Sequence, residues 1–323
     1  MSQNSEIRIL PYTRVIGQDR LKLALELAYI EPRIGGVLIS GERGTGKSTI
    51  VRAFALMVYG SIPITIPINA TEDRVVGGWL ISELVHGEAK EQKGLLEEAD
   101  GQLLYIDEVN LLDDHIVNII LDVTSTGVLV IQREGRNDKK KVQFTLVGTM
   151  NPEEGSLRPQ LLDRFGLMVR ATTETNPARR RKILQAVLDF DEAMSQGYSD
   201  KYFEETCREG EHHKLLLERA RKSLHEIVVS EEIAELCTTL AHEFHAEGHR
   251  GEHLLVLAAR AYAAHSGQMR VEREHVGAIT PLVLQHRRPA AKQLNRVLWS
   301  EEDENNLSKL LVNSSLNQDN GNF

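Results

Sequence analysis

Short apolar runs alternate with longer helical stretches between residues 15 and 170. Three of these runs are continuous rather than alternating: Val37–Ser40, Leu103–Ile106 and Phe144–Val147. Unbroken apolar strands are typical of a parallel sheet that helices cover on both faces. This part of the chain is therefore predicted to have a doubly wound α/β fold.

After this α/β part the strand pattern ends and helical periodicity takes over. Apolar residues recur at helical spacing after Ser230, a residue suited to cap a helix, and Leu254–Ala264 predicts a second apolar helix. The predicted organisation is an α/β core over residues 1–175, an all-helical domain over 176–300 and a polar, partly disordered tail over 301–323.

The composition argues against several classes of protein. With 41% hydrophobic and 26% charged residues, the chain can form ordinary globular domains. Its net charge of −9 argues against nucleic acid as a partner, because such binding needs a basic face. No apolar run is long enough to span a membrane, and Met1–Leu10 lacks the apolar centre of a signal peptide. We therefore expect a cytoplasmic protein with no membrane partner.

One segment matches the phosphate-binding loop G-x-x-x-x-G-K-[ST] in full. Its residues, with the one that follows, are Gly41, Glu42, Arg43, Gly44, Thr45, Gly46, Lys47, Ser48 and Thr49. The match follows the strand Val37–Ser40 and precedes a helix predicted from Thr49, as phosphate binding requires. The glycines let backbone N–H groups surround phosphate oxygens, Lys47 is expected to contact the β- and γ-phosphates, and Ser48 to bind Mg²⁺. The segment predicts binding of ATP with Mg²⁺.

Two carboxylates end the second apolar run. Asp107 and Glu108 directly follow Leu103–Ile106. An aspartate at this point can hold the Mg²⁺ shell, and the adjacent glutamate can accept a proton from an attacking water. A DE pair alone is common and can be a solvated strand end. Its place after a complete phosphate loop favours ATP hydrolysis.

Six longer strings resemble the ATPase subunit (subunit I) of magnesium chelatase. They are Val15–Gln18, Ala70–Val75, Gly94–Leu96, Asp107–His115, Val147–Gly155 and Leu157–Gly166. The resemblance covers about Val15–Arg288. It implies an AAA+ P-loop module with a parallel sheet covered by helices, followed by an all-helical lid that is displaced from its usual position.

The resemblance also implies three roles by position. Asn151 resembles sensor 1, which helps to orient the attacking water, although Asn-Pro is also a common turn. Arg164 resembles the arginine finger, which contacts the γ-phosphate bound to a neighbouring subunit; the alternative is a surface ion pair with Asp163. Arg250 resembles sensor 2 on the lid, and Arg260 competes for that role.

Two hairpins are expected from the same resemblance. Residues 128–144 resemble the pre-sensor-1 hairpin, whose basic tip is Arg133–Lys141. This tip is a solvated turn, a pore-facing contact with a partner or, as the less favoured alternative, a contact with nucleic acid. The hairpin around Trp79 takes the place of the helix-2 insert, and Trp79 is either a partner contact or a core residue. The chain departs from the family in a shorter segment between Lys47 and Thr71 and in Leu257, where an arginine is expected.

The resemblance implies a homo-oligomeric ring, expected to be a hexamer, in which ATP hydrolysis drives metal insertion into a tetrapyrrole. Its partners would be a subunit with a von Willebrand (integrin-type) domain and a large catalytic chelatase subunit. A MoxR-like chaperone that remodels a different von Willebrand-type partner is the alternative. A nucleotide-gated binding module is less favoured because Glu108 and Arg164 are both present. A small-molecule kinase would use the same phosphate loop, but it needs neither Arg164 nor Asn151 and is therefore the least favoured interpretation.

Overall fold

The computed structural model describes residues 8–79, 91–133, 136–196, 201–289 and 299–316. In this part of the chain the strands are β1 Val37–Ser40, β2 Ile64–Ile66, β3 Gly77–Trp79, β4 Glu91–Lys93, β5 Leu103–Ile106, β6 Val128–Arg133, β7 Arg136–Lys141, β8 Thr145–Met150 and β9 Leu167–Arg170. The α-helices are α1 Asp19–Ile30, α2 Lys47–Tyr59, α3 Glu72–Val76, α4 Leu95–Glu98, α5 Asp114–Thr126, α6 Pro159–Leu162, α7 Pro177–Gln196, α8 Lys201–Ser223, α9 Glu231–Glu243, α10 Arg250–His265, α11 Arg273–Leu284 and α12 Glu301–Leu316.

Five parallel strands form the central sheet in the order β2-β5-β8-β1-β9. Strand β1 lies between β8 and β9, with Val37 opposite Val147 on one side and Leu167 on the other. Parallel strands place all their carboxyl ends at one edge of the sheet, where ligands bind in open α/β folds. The ends of β1, β5 and β8 therefore meet at the edge that carries the phosphate loop.

The sheet is buried on both faces, and successive strand residues belong to different hydrophobic clusters. Val37 and Ile39 belong to the cluster that contains α1 and α2, whereas Leu38 belongs to the cluster that contains α5. Alternate side chains of a strand point to opposite faces, so both faces are covered by helices. The predicted α/β fold is confirmed.

The third predicted strand is shifted along the chain. The sequence predicts this strand at 144–147, and β8 instead runs from Thr145 to Met150. Gly148 and Thr149 resemble the start of a loop in the sequence, but Gly148 lies beneath the ring of Phe165. A Cβ at Gly148 would be 3.2 Å from the Phe165 Cζ atom. The glycine is therefore required inside the strand by packing rather than by a turn.

The helical part of the chain packs on the α1 and α2 face of the sheet and shares its hydrophobic cluster. Ser230 caps α9 as predicted, because its hydroxyl accepts a hydrogen bond from the Ile233 N–H at 3.3 Å. The predicted apolar helix is α10. Since one cluster joins the α/β part to the helices, the division at residue 175 stays a prediction.

The segment predicted as a polar, partly disordered tail contains a helix, α12, at Glu301–Leu316. The rest of this segment lies outside the described residues, so the predicted disorder stays a prediction. Leu307 on this helix is buried, and Arg288 donates two hydrogen bonds to the Asp303 carboxylate, at 2.6 and 3.1 Å. The polar composition of this segment does not indicate these few contacts, so the helix could not be predicted from it. In the described ranges, no helix combines the length and apolar character needed to cross a bilayer.

Both expected hairpins are present as antiparallel strand pairs. Strands β3 and β4 pair Gly77 with Lys93, and β6 and β7 pair Val128 with Lys141. The side chain of Trp79 and those of residues 132–137, at the tip of the basic hairpin, lie outside the described part. The alternatives for both hairpins therefore stay open.

Candidate nucleotide-binding and hydrolysis site

The loop between β1 and α2 has the backbone shape of an anion site. Gly44 and Gly46 adopt positive φ angles of 78° and 80°, and a Cβ at either would meet nothing within 4 Å. Glycine is therefore needed there for its backbone conformation and leaves the space above the loop open. A Cβ at Gly41 would instead lie 2.2 Å from the Ala171 carbonyl oxygen, so this glycine permits close packing of two chain segments.

Helix α2 begins at Lys47 rather than at the predicted Thr49, and Gly46 precedes it without a side-chain cap. The first N–H groups of the helix thus have no capping side chain, and the helix dipole favours an anion beside them. The Lys47 ammonium donates hydrogen bonds to the carbonyls of Gly41, at 2.5 Å, and Glu42, at 2.7 Å. Both features suit a polyphosphate, so the loop fits the predicted nucleotide.

Four side chains connect the loop to the strand ends beside it. The Tyr105 hydroxyl lies 2.9 Å from Ser48 Oγ and donates to Asp107 Oδ1 at 2.8 Å. Thr149, near the end of β8, donates to the same Asp107 oxygen at 2.6 Å. Burial raises the pKa of Tyr105 to about 12, although the hydroxyls of Ser48 and Thr149 oppose this rise. The two predicted Mg²⁺ ligands, Ser48 and Asp107, are therefore bridged by one buried hydroxyl group.

Glu108 has an unusual backbone conformation for a residue other than glycine. Its φ angle is 55°, in the left-handed region, which costs about 1 kcal/mol or more for such a residue. Its N–H donates to Thr149 Oγ1 at 3.2 Å, which helps to hold this conformation. The carboxylate Oε1 lies 3.7 Å from Arg43 Nη2, and the same guanidinium contacts Glu154. An acidic side chain is thus turned toward the phosphate loop.

Burial lowers the pKa of Lys47, and the carboxylates of Asp107 and Glu108 oppose that effect. The lysine thus lies within electrostatic reach of both acids. Asn151 directly follows β8 and is buried, and its Oδ1 accepts a hydrogen bond from the Glu153 N–H at 3.3 Å. It therefore serves the predicted turn while lying at the same sheet edge as the acids.

Arg164 and Arg250 lie away from this edge. Arg164 is just before β9, and its carbonyl is close to Gly35, which precedes β1. It is therefore at the amino-terminal edge of the sheet, separated from the phosphate loop by the length of β1, about 10 Å. Arg250 Nη1 lies 3.7 Å from Asp163 Oδ2, so Arg250 contacts the residue that precedes Arg164 in the chain. Arg260 is held elsewhere, because it donates to the Leu224 carbonyl at 2.8 Å.

The proposed ion pair between Arg164 and Asp163 is wrong. Arg164 donates to Asp122 Oδ1, on α5, at 2.6 Å. Asp163 instead faces Arg250 and the buried Arg287, whose Nε lies 3.3 Å from Asp163 Oδ1. Adjacent residues in sequence point their side chains in different directions here, so sequence proximity did not identify the partner.

Sequence reasoning missed Tyr105, Thr149 and Arg287. Tyr105 stands within an apolar run, and this pattern predicts only a buried strand residue. The only sequence signal for Thr149 is its position two residues before Asn151, the residue that resembles sensor 1. Arg287 is charged and fully buried, and nothing in a sequence pattern distinguishes such a residue from one on the surface.

Comparisons with known proteins agree with this geometry. The family model of the AAA domain (dynein-related subfamily) matches residues 36–165, and that of the AAA lid domain matches residues 234–307. The magnesium-chelatase 38 kDa subunit of Chlorobaculum tepidum is 38% identical, over 86% of this chain and 80% of its own. The magnesium-chelatase subunit ChlI of Euglena gracilis is 36% identical, over 88% and 92%.

The similarity to one solved structure supports the fold and says nothing about function. A putative ATPase from Cytophaga hutchinsonii superimposes with a TM-score of 0.62 at 15% identity and covers 93% of this chain and 91% of its own. The identities to the chelatase subunits, over most of both chains, confirm the resemblance found in the motifs. This chain belongs to the family of the ChlI-type (38 kDa) ATPase subunits of magnesium chelatase, within the AAA+ proteins.

Proposed function

We propose that this chain is the ATP-hydrolysing motor subunit of a magnesium chelatase and acts through partner subunits. One observation carries the chemical part of the proposal. A complete phosphate loop is joined through Ser48 and Tyr105 to Asp107, and Glu108 is the next residue. Phosphoryl transfer depends mainly on positioning and electrostatic stabilisation, and this edge of the sheet supplies both.

The loop residues would hold the nucleotide. Backbone N–H groups from Gly41 to Thr49 would surround the phosphates, and the Lys47 ammonium would leave its loop carbonyls for phosphate oxygens. Ser48 and Asp107 would hold Mg²⁺, which when bound offsets the negative charge of the phosphate oxygens. Gly44 and Gly46 have open space on the side where a Cβ would lie, which suits close approach of phosphate oxygens to the backbone.

Hydrolysis would use the acid beside the metal position. Glu108 would accept a proton from the attacking water, and Asn151 would orient that water from the end of the neighbouring strand. In the structure the Arg43 guanidinium lies between Glu108 and Glu154, and it would have to release Glu108 for this step. Arg43 is largely exposed, so its side chain can move without disrupting the core.

Arg164 would complete the site of a neighbouring copy rather than its own. It lies at the sheet edge opposite its own phosphate loop, and one strand length is too far for an arginine to cross through a buried sheet. Arg250, which contacts the adjacent Asp163, would approach the same neighbour. Both positions support a closed ring, for which we propose six subunits. A ring also places each arginine where transition-state charge can be stabilised.

Family membership supports magnesium insertion into a tetrapyrrole as the output. We propose a partner subunit with a von Willebrand (integrin-type) domain and a large catalytic subunit. Such a partner would have to bind one nucleotide state of the ring more tightly than another, because only that difference transmits work. No contact in the described residues favours a MoxR-like chaperone over this function.

Glu108→Gln tests the proposal. The variant is expected to bind ATP with Mg²⁺ normally and to lose turnover by a factor of about 10² to 10⁴, because the amide cannot accept the proton. Lys47→Ala should instead lose nucleotide binding. Near-normal ATPase activity of Glu108→Gln would contradict the assignment. The same variant, held in its ATP state, should also retain the partner subunits in pull-downs with ATP more strongly than with ADP.

A further inference from the structure

We propose that Tyr105 orients both side chains that face magnesium, Ser48 and Asp107. The inference rests on the proposed function, which gives these two residues their metal role. The Tyr105 hydroxyl lies 2.9 Å from Ser48 Oγ and 2.8 Å from Asp107 Oδ1. One buried oxygen atom thus connects the start of α2 with the end of β5.

The direction of each hydrogen bond follows from the number of available protons. A carboxylate only accepts, so Tyr105 donates its single hydroxyl proton to Asp107. The tyrosine oxygen can then only accept, and the Ser48 hydroxyl proton must point toward it. The lone pairs of Ser48 Oγ are consequently directed away from Tyr105. A hydroxyl group needs this orientation to serve as an oxygen ligand of Mg²⁺.

Asp107 is oriented by the same arrangement. Its Oδ1 accepts from both Tyr105 and Thr149, whose hydroxyls lie at 2.8 and 2.6 Å. Within the described residues, no hydrogen bond reaches the other oxygen, Oδ2. The two donors therefore fix the carboxylate through one oxygen and leave the second for the metal or its water ligands. Outer hydrogen bonds of this kind commonly orient metal ligands in proteins.

The hydroxyl, rather than the ring, carries this role. The ring of Tyr105 is fully buried in the hydrophobic cluster beneath α1 and α2, where phenylalanine would pack equally well. Tyr59 offers a matched comparison on the same cluster. Its hydroxyl lies 2.7 Å from Thr145 Oγ1, at the opposite end of β8 from the hydroxyl group that Tyr105 shares with Ser48 and Asp107.

The test compares the full-length wild type with Tyr105→Phe and Tyr59→Phe. The affinity for a fluorescent ATP analogue (a methylanthraniloyl derivative) is titrated once with excess EDTA and once with Mg²⁺. All three proteins should bind equally in EDTA. Mg²⁺ should tighten binding by the wild type and Tyr59→Phe. In Tyr105→Phe this gain should be about tenfold smaller, the effect expected when a hydrogen bond to a charged group is lost.

Two results would overturn the inference. One is a full Mg²⁺ gain in Tyr105→Phe; the other is an equal loss in EDTA and in Mg²⁺, which would indicate a purely structural role. Thr149→Val removes the other donor to Asp107 and should also reduce the gain, so the test does not depend on one variant folding. If the wild type itself gained nothing from Mg²⁺, the proposed function would fail together with the inference. Loss of turnover in Glu108→Gln without a Tyr105 effect would remove the inference alone.

Discussion

Glu26, on α1, is a buried carboxylate that joins the α/β part to the helical part. The Tyr12 hydroxyl donates to its Oε1 at 2.8 Å, and His213 Nε2, on α8, lies 3.0 Å from the same oxygen. His265 Nε2, on α10, lies 2.7 Å from Oε2. Glu26→Gln keeps the size of the side chain and removes its charge. We expect this change to destabilise the fold because three partners lose a charged acceptor.

The magnitude follows from the pKa of Glu26. Burial alone would raise this pKa, but hydrogen bonds from His213, His265 and Tyr12 outweigh burial and lower it from 4.5 to about 2. A difference of this size between the unfolded and folded chain corresponds to about 3 kcal/mol of stability at neutral pH. The folded-state pKa is the lower one. The contribution is therefore complete above pH 4.5 and is lost as the pH falls from there toward 2.

Urea unfolding of the wild type and Glu26→Gln at several pH values measures this contribution. The variant should be less stable by about 3 kcal/mol at pH 7, and the difference should shrink below pH 4.5. Glu226→Gln is the control, because Glu226 is exposed and lies 3.6 Å from His225; it should stay within about 0.5 kcal/mol of the wild type. A Glu26→Gln protein as stable as the wild type at pH 7, or a difference that grows as the pH falls below 4.5, would refute the reasoning.

Two further predictions concern the ring and the packing of the sheet. Arg164→Ala should bind nucleotide without hydrolysing it. Mixing it with Glu108→Gln should restore ATPase activity, because some interfaces then pair an intact Glu108 with an intact Arg164. Mixtures that stay inactive would contradict sites shared between copies. Gly166→Ala should lower the unfolding free energy by about 2 kcal/mol or more in urea titrations, since its Cβ would lie 1.8 Å from the Ile34 carbonyl oxygen. Gly210→Ala, on α8, is the control and should not destabilise, because its Cβ would make only an ordinary contact with Met57 at 3.7 Å.

The elements nearest to the phosphate loop could be predicted from the sequence. Strands Val37–Ser40 and Leu103–Ile106 match their predicted bounds to the residue. Each is an apolar run that a motif residue follows directly, Gly41 of the phosphate loop in one case and Asp107 in the other. The run before Asn151 lacked such an end, because Gly148 and Thr149 interrupt its apolar pattern. The strand continues because Gly148, Thr149 and Met150 pair with β1. The Phe165 ring above Gly148 leaves little room for a side chain there.

The polar partners inside the site could not be predicted in the same way. Hydrophobic patterning places Tyr105 on a buried strand, which is correct for its ring but does not reveal where its hydroxyl lies. The partner of Arg164 is Asp122, which is remote in sequence and lies on α5. Such pairings depend on the angle at which elements cross, and local periodicity contains no information about that angle.

The helical part also sets the position of the segment that carries Arg164. Arg287, just beyond α11, is fully buried and donates to the carbonyls of Asp163, Phe165 and Gly166, at 2.9, 2.6 and 3.1 Å. Burial lowers the pKa of Arg287 to about 10, and Asp163 opposes this change. A buried guanidinium with several backbone acceptors is costly to displace, because each broken bond leaves an unsatisfied polar group. The backbone on both sides of Arg164 is thus held by a side chain of the helical part. In the proposed ring, the arginine offered to a neighbouring nucleotide would therefore move with the helical part, and Asp122 would be the contact that it leaves.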